Sequence, residues 1–513
     1  MARWRIGNDY TGSAAVKVMK NNADDPYSTP DNERWKFLYN SKLPKVNIAD
    51  MELCNVISRP GLNDGAVYNY HPAGSGPSNF QKLEGSGGGM SEWFYRNSAF
   101  PNLRYNVPLF DWKAKKGGGS NRYNQQMVHW TDSGSYYRGQ GGFYAVGNYA
   151  QVGWVEGFTG SVSQYGTMAY GALTRITARD TIDAFNKFLS RDKRLIVWNL
   201  PGNNVPLDEA SPLAPNGTKT FKITPQALVI AKPGFHVDSA TPAQLAIDTS
   251  RIPVKVIAAA DIPLPAGVSF YETGIPLPDM VALDVHFYNG SVINYPSSSV
   301  DLDFGAEYWF DGTKIYFAAS QAMRARFYLY LEDNSPPTSG GNRVWRTFTE
   351  NGVAVFQLLR PGSANPPNWN DIYVDTRWPQ VQILAEGYFN VAAGNDVIVD
   401  VPFDGTGMFP MVKYLTAHGG GSYQTLGFTV SGSWNAMYRL PFVKRLKYIY
   451  NGNQYHAGES TYCELTQNNV RFHTFRGNVG DYYNRGDSPG NWRTSGAYAP
   501  IGIRYYIFGI PQP

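Results

Sequence analysis

Residues 248–257 read Asp-Thr-Ser-Arg-Ile-Pro-Val-Lys-Val-Ile, and residues 375–384 read Asp-Thr-Arg-Trp-Pro-Gln-Val-Gln-Ile-Leu. Both run from Asp-Thr through a basic and an apolar residue to a proline, then into an alternating stretch. Working outward, Ala231-Lys232-Pro233-Gly234 precedes the first and Leu359-Arg360-Pro361-Gly362 precedes the second. Thr241-Pro242 and Asp371 lie in the polar loops between. A more worn copy opens the chain: Met19-Lys20, Thr29-Pro30, Asn40-Ser41-Lys42-Leu43-Pro44 and Lys45-Val46-Asn47-Ile48. The fixed order of these features in three places marks an internal repeat.

Each copy makes sense as a local unit. An apolar strand (Ala14 to Val18, Ala227 to Ile230, Val353 to Leu358) stops at a turn, which is Pro-Gly in the second and third copies. After the polar loop, a proline opens a strand with apolar side chains on alternate positions, such as Val254, Val256 and Ala258. The second and third copies then continue in parallel. Thr273-Gly274-Ile275-Pro276 precedes Pro278-Asp279-Met280-Val281, and Thr406-Gly407-Met408-Phe409 precedes Pro410-Met411-Val412. Hairpin signals follow at Asp311-Gly312 and at Gln467-Asn468-Asn469. All three copies close on one strand type: Arg194-Leu195-Ile196-Val197-Trp198, Arg326-Phe327-Tyr328-Leu329-Tyr330 and Arg504-Tyr505-Tyr506-Ile507-Phe508.

These limits predict a mainly β protein of three tandem β-sandwich-like domains. The first spans 1–208, the middle one 218–334 and the last 343–513, with linkers rich in Pro, Asn, Gly or Ser between them. The first carries a long Gly/Tyr-rich insertion at about 60–175. One helix is expected after it, where Thr177 with Asp180 makes a capping box and Ile182, Phe185 and Leu189 share a face.

Composition agrees with that class. The 513 residues include 53 Gly, 34 Pro, 35 Tyr, 27 Phe and 13 Trp, while charged residues make up only 17%. Gly and Pro depress helix, and aromatic residues favour a pleated, half-buried surface. A net charge of +4 without a long basic run argues against nucleic acid or an anionic membrane as partner. Lys113 to Lys116, before Gly117-Gly118-Gly119, reads as a solvated loop. The longest apolar run, around Val254 to Val268, is broken by Lys255, Asp261 and prolines, so no membrane span is expected. The N-terminus lacks the apolar stretch of a signal peptide, which points to synthesis in a cytoplasm.

Chemistry is sparse. No P-loop, GxSxG, HExxH or dinucleotide fingerprint is present. Cys54 and Cys463 stand far apart without a CxxC, and the seven histidines are scattered, so no metal, cofactor or catalytic residue is assigned. Asp301, Asp303, Glu307 and Asp311 cluster closely enough to draw a glycosidase acid–base pair. Alternation with Leu302 and Phe304 makes the first two read instead as the wet face of a strand. Arg485-Gly486-Asp487 reads as a Gly/Pro/Asn loop. Trp130, Tyr136, Tyr137, Tyr144 and Tyr149, set among Gly, Ser, Asn and Gln, are the candidate contacts to a partner or receptor.

The repeated motif, the Thr-Gly-…-Pro-x-Met-Val segment and the terminal Arg-Tyr-Tyr-Ile-Phe strand resemble structural proteins of tailed bacteriophages: tail, tail-fibre or related virion components. The resemblance covers the second and third copies well, and only the opening motif of the first. It implies a non-enzymatic virion protein, foremost a tail-fibre or tail-tip component contributing to host attachment. Head or neck decoration is the alternative within the virion, and a glycan-degrading tailspike the alternative outside the structural class. The implied partners are copies of itself, a trimer foremost, other tail or neck proteins, and a host surface glycan or protein. Low charge, high aromatic content and few helices suit a chain that buries much surface against such partners.

Overall fold

The computed structural model describes residues 3–44, 219–295, 306–419, 461–476 and 500–513 with short gaps, and separate strands within 47–199 and 423–494. The described chain is mainly β, in small antiparallel sheets, with two sheets facing each other in sandwich fashion. The expected helix with Ile182, Phe185 and Leu189 falls outside the described residues.

The repeated motif forms the same object three times: a three-stranded antiparallel meander. The first consists of Trp4–Asn8, Ala14–Met19 and Phe37–Asn40; the second of Phe221–Ile223, Leu228–Ala231 and Leu245–Asp248; the third of Trp345–Glu350, Val353–Leu359 and Ile372–Asp375. Even the irregularity is shared, because the register between second and third strands slips after Val18, Ile230 and Leu358.

The motif residues explain themselves in this frame. The hydroxyls of Ser41, Thr249 and Thr376 accept the N–H of Val16, Leu228 and Phe356 at 2.9, 2.8 and 2.9 Å. The backbone N–H of each returns to the carbonyl of the same strand residue. One residue earlier, the side chains of Asn40, Asp248 and Asp375 accept the N–H two residues on, at 3.0, 3.1 and 2.9 Å. Such a turn requires Asx followed by a short hydroxyl, and that is the repeated pair. In the Pro-Gly turns, Gly234 and Gly362 take φ of 88° and 86°, where a Cβ would be strained.

Each meander feeds a set of three neighbouring strands in which the closing strand lies in the centre; the set is a whole sheet in the middle copy and part of a four- and an eight-stranded sheet in the first and last. The orders are Asn47–Leu53, Lys193–Asn199, Leu109–Ala114; Val256–Leu264, Met323–Leu331, Val281–Tyr288; and Gln382–Asn390, Gly502–Pro511, Met408–Gly419. A register slip recurs where each sheet begins, at Asp50/Ile48, Val256/Ala258 and Ile383/Ala385. Here the first copy resembles the others beyond its ends: it builds the same sheet.

Facing the second of these sheets are Gly267–Glu272, Lys314–Ala319 and Ala306–Asp311, extended by Tyr123–Asn124 from the first copy. Facing the third are Gly394–Pro402, Asn469–Arg476 and Tyr462–Leu465, extended by Ile293–Tyr295 from the middle copy. Tyr123–Asn124 follows Leu109–Ala114 and Ile293–Tyr295 follows Val281–Tyr288, so the first and middle copies lend the same segment to the next. The insertion behaves likewise. Its strands Ala66–His71, Ser78–Glu84 and Ser91–Asn97 continue the last copy's sheet through Ala436–Arg439. Sheets therefore run across the ranges 1–208, 218–334 and 343–513.

Three apolar cores are seen among the described residues. Leu283, Phe287, Ile315, Phe317, Phe327 and Leu329 fill the middle sandwich; Val412, Tyr414, Val470, Phe472, Ile503 and Ile507 fill the last. A third core belongs to no single copy: Val16, Val18, Tyr39, Ile247, Phe356 and Leu358 come from all three meanders. At about 1.5–3 kcal/mol per fully buried large side chain, this shared core holds the copies together as firmly as a domain interior.

Candidate functional site

The chemistry of the described residues concentrates where the copies meet. The closing strand Met323–Leu331 is buried along nearly its whole length, Arg324 being half-buried, rather than on one face. Phe327 and Leu329 enter the sandwich core, while Arg326, Tyr328 and Tyr330 turn the other way. There the Tyr328 hydroxyl donates to the Phe409 carbonyl, and Arg326 Nε donates to the Pro410 carbonyl at 3.0 Å. The guanidinium lies 3.5 Å from the centre of the Phe409 ring. Its charge is met by Asp261 at 3.2 Å, a carboxylate also held by Arg324 at 2.8 Å and by the Tyr288 hydroxyl at 2.6 Å. Beside this group, Lys413 and Asp284 pair at 2.8 Å, both nearly buried. By register these two are counterparts, since Asp284 lies opposite Tyr328 and Lys413 opposite Tyr506.

The next junction repeats the device. Arg504 and Tyr506 occupy the places of Arg326 and Tyr328 in the last closing strand. The Tyr506 hydroxyl donates to the Val107 carbonyl of the first copy at 2.9 Å. Arg504 pairs with Glu386 and sits over the rings of Tyr506 and Tyr105, 4.1 and 5.2 Å from their centres. Burial pushes the phenol of Tyr506 up to about 12 and that of Tyr328 higher still, so both remain hydrogen-bond donors.

The strands after the meander prolines follow the same cyclic sense. Val256 N–H donates to the Pro379 carbonyl and Ile383 N–H to the Pro44 carbonyl, each at 3.3 Å. Lys255, 4% exposed, donates its ammonium to the Ile372 carbonyl. The alternation read for Val254, Val256 and Ala258 gives way here to continuous burial from Val254 to Ile257, and the register slips between Val256 and Ala258. Arg360 Nε donates to the Thr249 carbonyl at 2.9 Å and the Tyr39 hydroxyl to the Ala246 carbonyl at 2.9 Å. Ile252–Pro253 pairs with Asn47–Leu53, which joins middle to first. The proline at the edge of that ladder forfeits no bond. Middle to last, last to first and first to middle, the ring closes.

Ionisable groups in these junctions are held in fixed states. His286, 2% exposed, rests 4.6 Å from the Tyr295 ring. Burial, with Arg326 and Lys413 nearby, pushes its pKa well below the usual imidazole value, so it is neutral at physiological pH. In the first meander Lys17, 1% exposed, is bracketed by Asp9 at 3.0 Å and Asp31 at 2.8 Å, both also bound by Lys42. Burial pushes the Asp9 carboxyl up, but hydrogen bonds from Lys42, Thr11 and Lys17 outweigh it and hold it far below the ordinary range. The buried Cys463 thiol is free and is raised by burial.

Trp130, Tyr136, Tyr137, Tyr144 and Tyr149 lie outside the described residues, as do Cys54, Asp301, Asp303 and the Arg485-Gly486-Asp487 triplet. Asp311 ends its strand beside the tight turn at Gly312, exposed, as the hairpin reading requires. Among the described residues no three His, Cys, Asp or Glu side chains are placed to hold a metal, and no helix is long and apolar enough to cross a membrane. The junction residues Arg326, Tyr328, Arg504 and Tyr506 stand in the sequence as Arg-x-Tyr in two closing strands. Two residues apart on a strand, the cation and the phenol share one face, which is all that the sequence pattern tells.

In comparisons with known proteins, no family model, curated protein or solved structure matches the chain.

Proposed function

We propose that this chain is a non-enzymatic structural protein of a tailed-phage virion, a single-chain counterpart of a trimer, serving in the tail tip or tail fibre and contributing to host attachment. The observation that carries the reading is the closed ring of repeats. Buried arginines, tyrosines and an ion pair join the middle copy to the last and the last to the first. Replacing one partner of such a buried pair costs about 3–5 kcal/mol, so this chemistry suits a scaffold that must hold shape under load. The repeated motif and terminal strand that resemble phage virion proteins point the same way. Head or neck decoration is the second reading, favoured by the ring itself: a closed threefold unit can occupy a threefold site as one chain. Host surface glycan or protein, other tail or neck proteins and further copies of the chain are the proposed partners.

Gold-labelled antibody against this chain on purified virions tests placement, with label expected at the tail end. Label around the head moves the assignment to decoration, and absence of the chain from particles by mass spectrometry ends the virion reading. Non-enzymatic character is tested on host polysaccharide, where clearing by the purified protein would sink it.

A further inference from the structure

The three meanders serve as an internal alignment of one another, and they agree at a position that local folding does not require. The first strand of each meander is an edge strand, with no further strand paired along its outer side among the described residues. On that strand Trp4, Phe221 and Trp345 sit opposite Val18, Ile230 and Leu358, so they are register equivalents. Ile6 and Ile223 are likewise equivalent, opposite Val16 and Leu228, with Thr347 at the third place. All five apolar side chains share a face with the core shared by the meanders, yet they reach past it into solvent. Trp4 is 43% exposed, Ile6 54%, Phe221 51%, Ile223 66% and Trp345 55%. In the first meander they border a recess completed by the third, where Trp4 stacks on Phe356 at 4.8 Å.

The copies have diverged at neighbouring positions: Lys17 and Gln357, both buried, and the half-buried Val229 are equivalents with unlike chemistry. Retention of a large exposed aromatic at the same edge in all three is therefore a constraint from outside the meander. Scattered exposed apolar residues need no explanation, but a triplicated set on unpaired strand edges does.

We infer that these three edges form a docking surface for a second copy of the same chain, joined head to head about a twofold axis. Symmetry and area select that occupant. A surface repeated three times about a cyclic arrangement is matched by one with the same repeat, and the corresponding surface of a second copy supplies it; a twofold contact is self-complementary by construction. The area also suffices. Large side chains offer about 150–250 Å² each, so the exposed parts of these five give about 500 Å² per copy and about 1,000 Å² of apolar surface per pair. With a polar rim this enters the range of about 1,200–2,000 Å² typical of stable interfaces. The assignment is independent of the virion reading, since it concerns the purified chain alone.

Sedimentation equilibrium of the full chain tests it, with a dimer expected at tens of micromolar. The triple variant Ile6→Asp, Ile223→Asp, Trp345→Asp is expected to weaken association at least 100-fold with an unchanged circular dichroism spectrum. A wild-type chain that sediments as a monomer at 100 µM overturns the inference, and so does a folded triple variant that still dimerises. Should the variant not fold, hydroxyl-radical footprinting of the wild type between 1 and 100 µM decides. Oxidation of Trp4 and Trp345 should fall together as concentration rises, and constant oxidation overturns the assignment.

Discussion

The first and third meanders share strand order, register slip and turn chemistry, yet they solve one buried position in opposite ways. The first places Lys17 opposite Asn40 and surrounds it with Asp9, Asp31 and the Thr29 carbonyl. The third places Gln357 opposite Asp375, donating to that carboxylate and accepting from Arg346 at 2.6 Å. Asp375 in turn holds Arg377 at 2.8 Å, which reaches the exposed Glu350 at 3.0 Å. A buried charge with two dedicated counter-charges and a buried amide at the head of a chain of hydrogen bonds thus occupy the same backbone. The backbone frame comes from local turns, while the identity of the buried polar group depends on which neighbours that copy supplies.

Breaking the charged solution should cost most. Asp9→Ala leaves Lys17 and Lys42 with one carboxylate between them, and a loss of about 3–5 kcal/mol is expected in urea unfolding. Hydrogen exchange should localise the damage to residues 3–44. Transplanting the uncharged solution, Lys17→Gln with Asp9→Asn, should recover most of that loss; a double variant as unstable as Asp9→Ala would contradict the equivalence of the two positions.

Acid should distinguish the regions next. Asp9 and Asp31 both lie below the ordinary carboxylate value in the folded chain, where burial raises them and hydrogen bonds to Lys17 and Lys42 outweigh it. Their contribution is full above the unfolded value of about 3.9 and is lost as pH falls through the depressed folded values. Each tenfold drop in proton affinity on folding is worth about 1.4 kcal/mol. Amides of the first meander should therefore lose protection between pH 4 and pH 2. Unchanged protection across that window would show that the charges contribute little.

In the third meander, Gln357→Leu removes a donor to Asp375 while Arg377 remains, and a cost of about 1–2 kcal/mol is expected by the same denaturation assay. Tyr39→Phe deletes the bond to the Ala246 carbonyl, between the first and second meanders, and should cost about 0.5–1.5 kcal/mol. Glu350→Gln ends the comparison at its smallest effect. That ion pair is half exposed on the glutamate side, and a change within about 0.5 kcal/mol is expected.

Much of the strand pattern is legible in the sequence because its signals are local. Pro-Gly, Asx followed by Ser or Thr, and Asp-Gly specify turns through φ preferences and side chains that reach only two residues. The closing strands can be recognised but not their place, since an Arg-x-Tyr face looks the same whether water or another sheet covers it. The candidate site is legible only to that extent. Asp284 and Lys413, more than a hundred residues apart, carry no spacing signal, and Lys17 meets Asp9 and Asp31 only through the fold.

By itself, then, the sequence determined that this chain is β-rich, triplicated, and turned at defined residues. Only the tertiary structure decided that the first and middle copies each lend a strand to the next, that the middle and last closing strands are covered on both faces, and which buried cation meets which carboxylate. The physical reason is range. Turn and strand preferences act within a few residues, whereas burial depends on whatever surface arrives from elsewhere in the chain, and a period-two pattern names the two faces of a strand without saying what will cover the second.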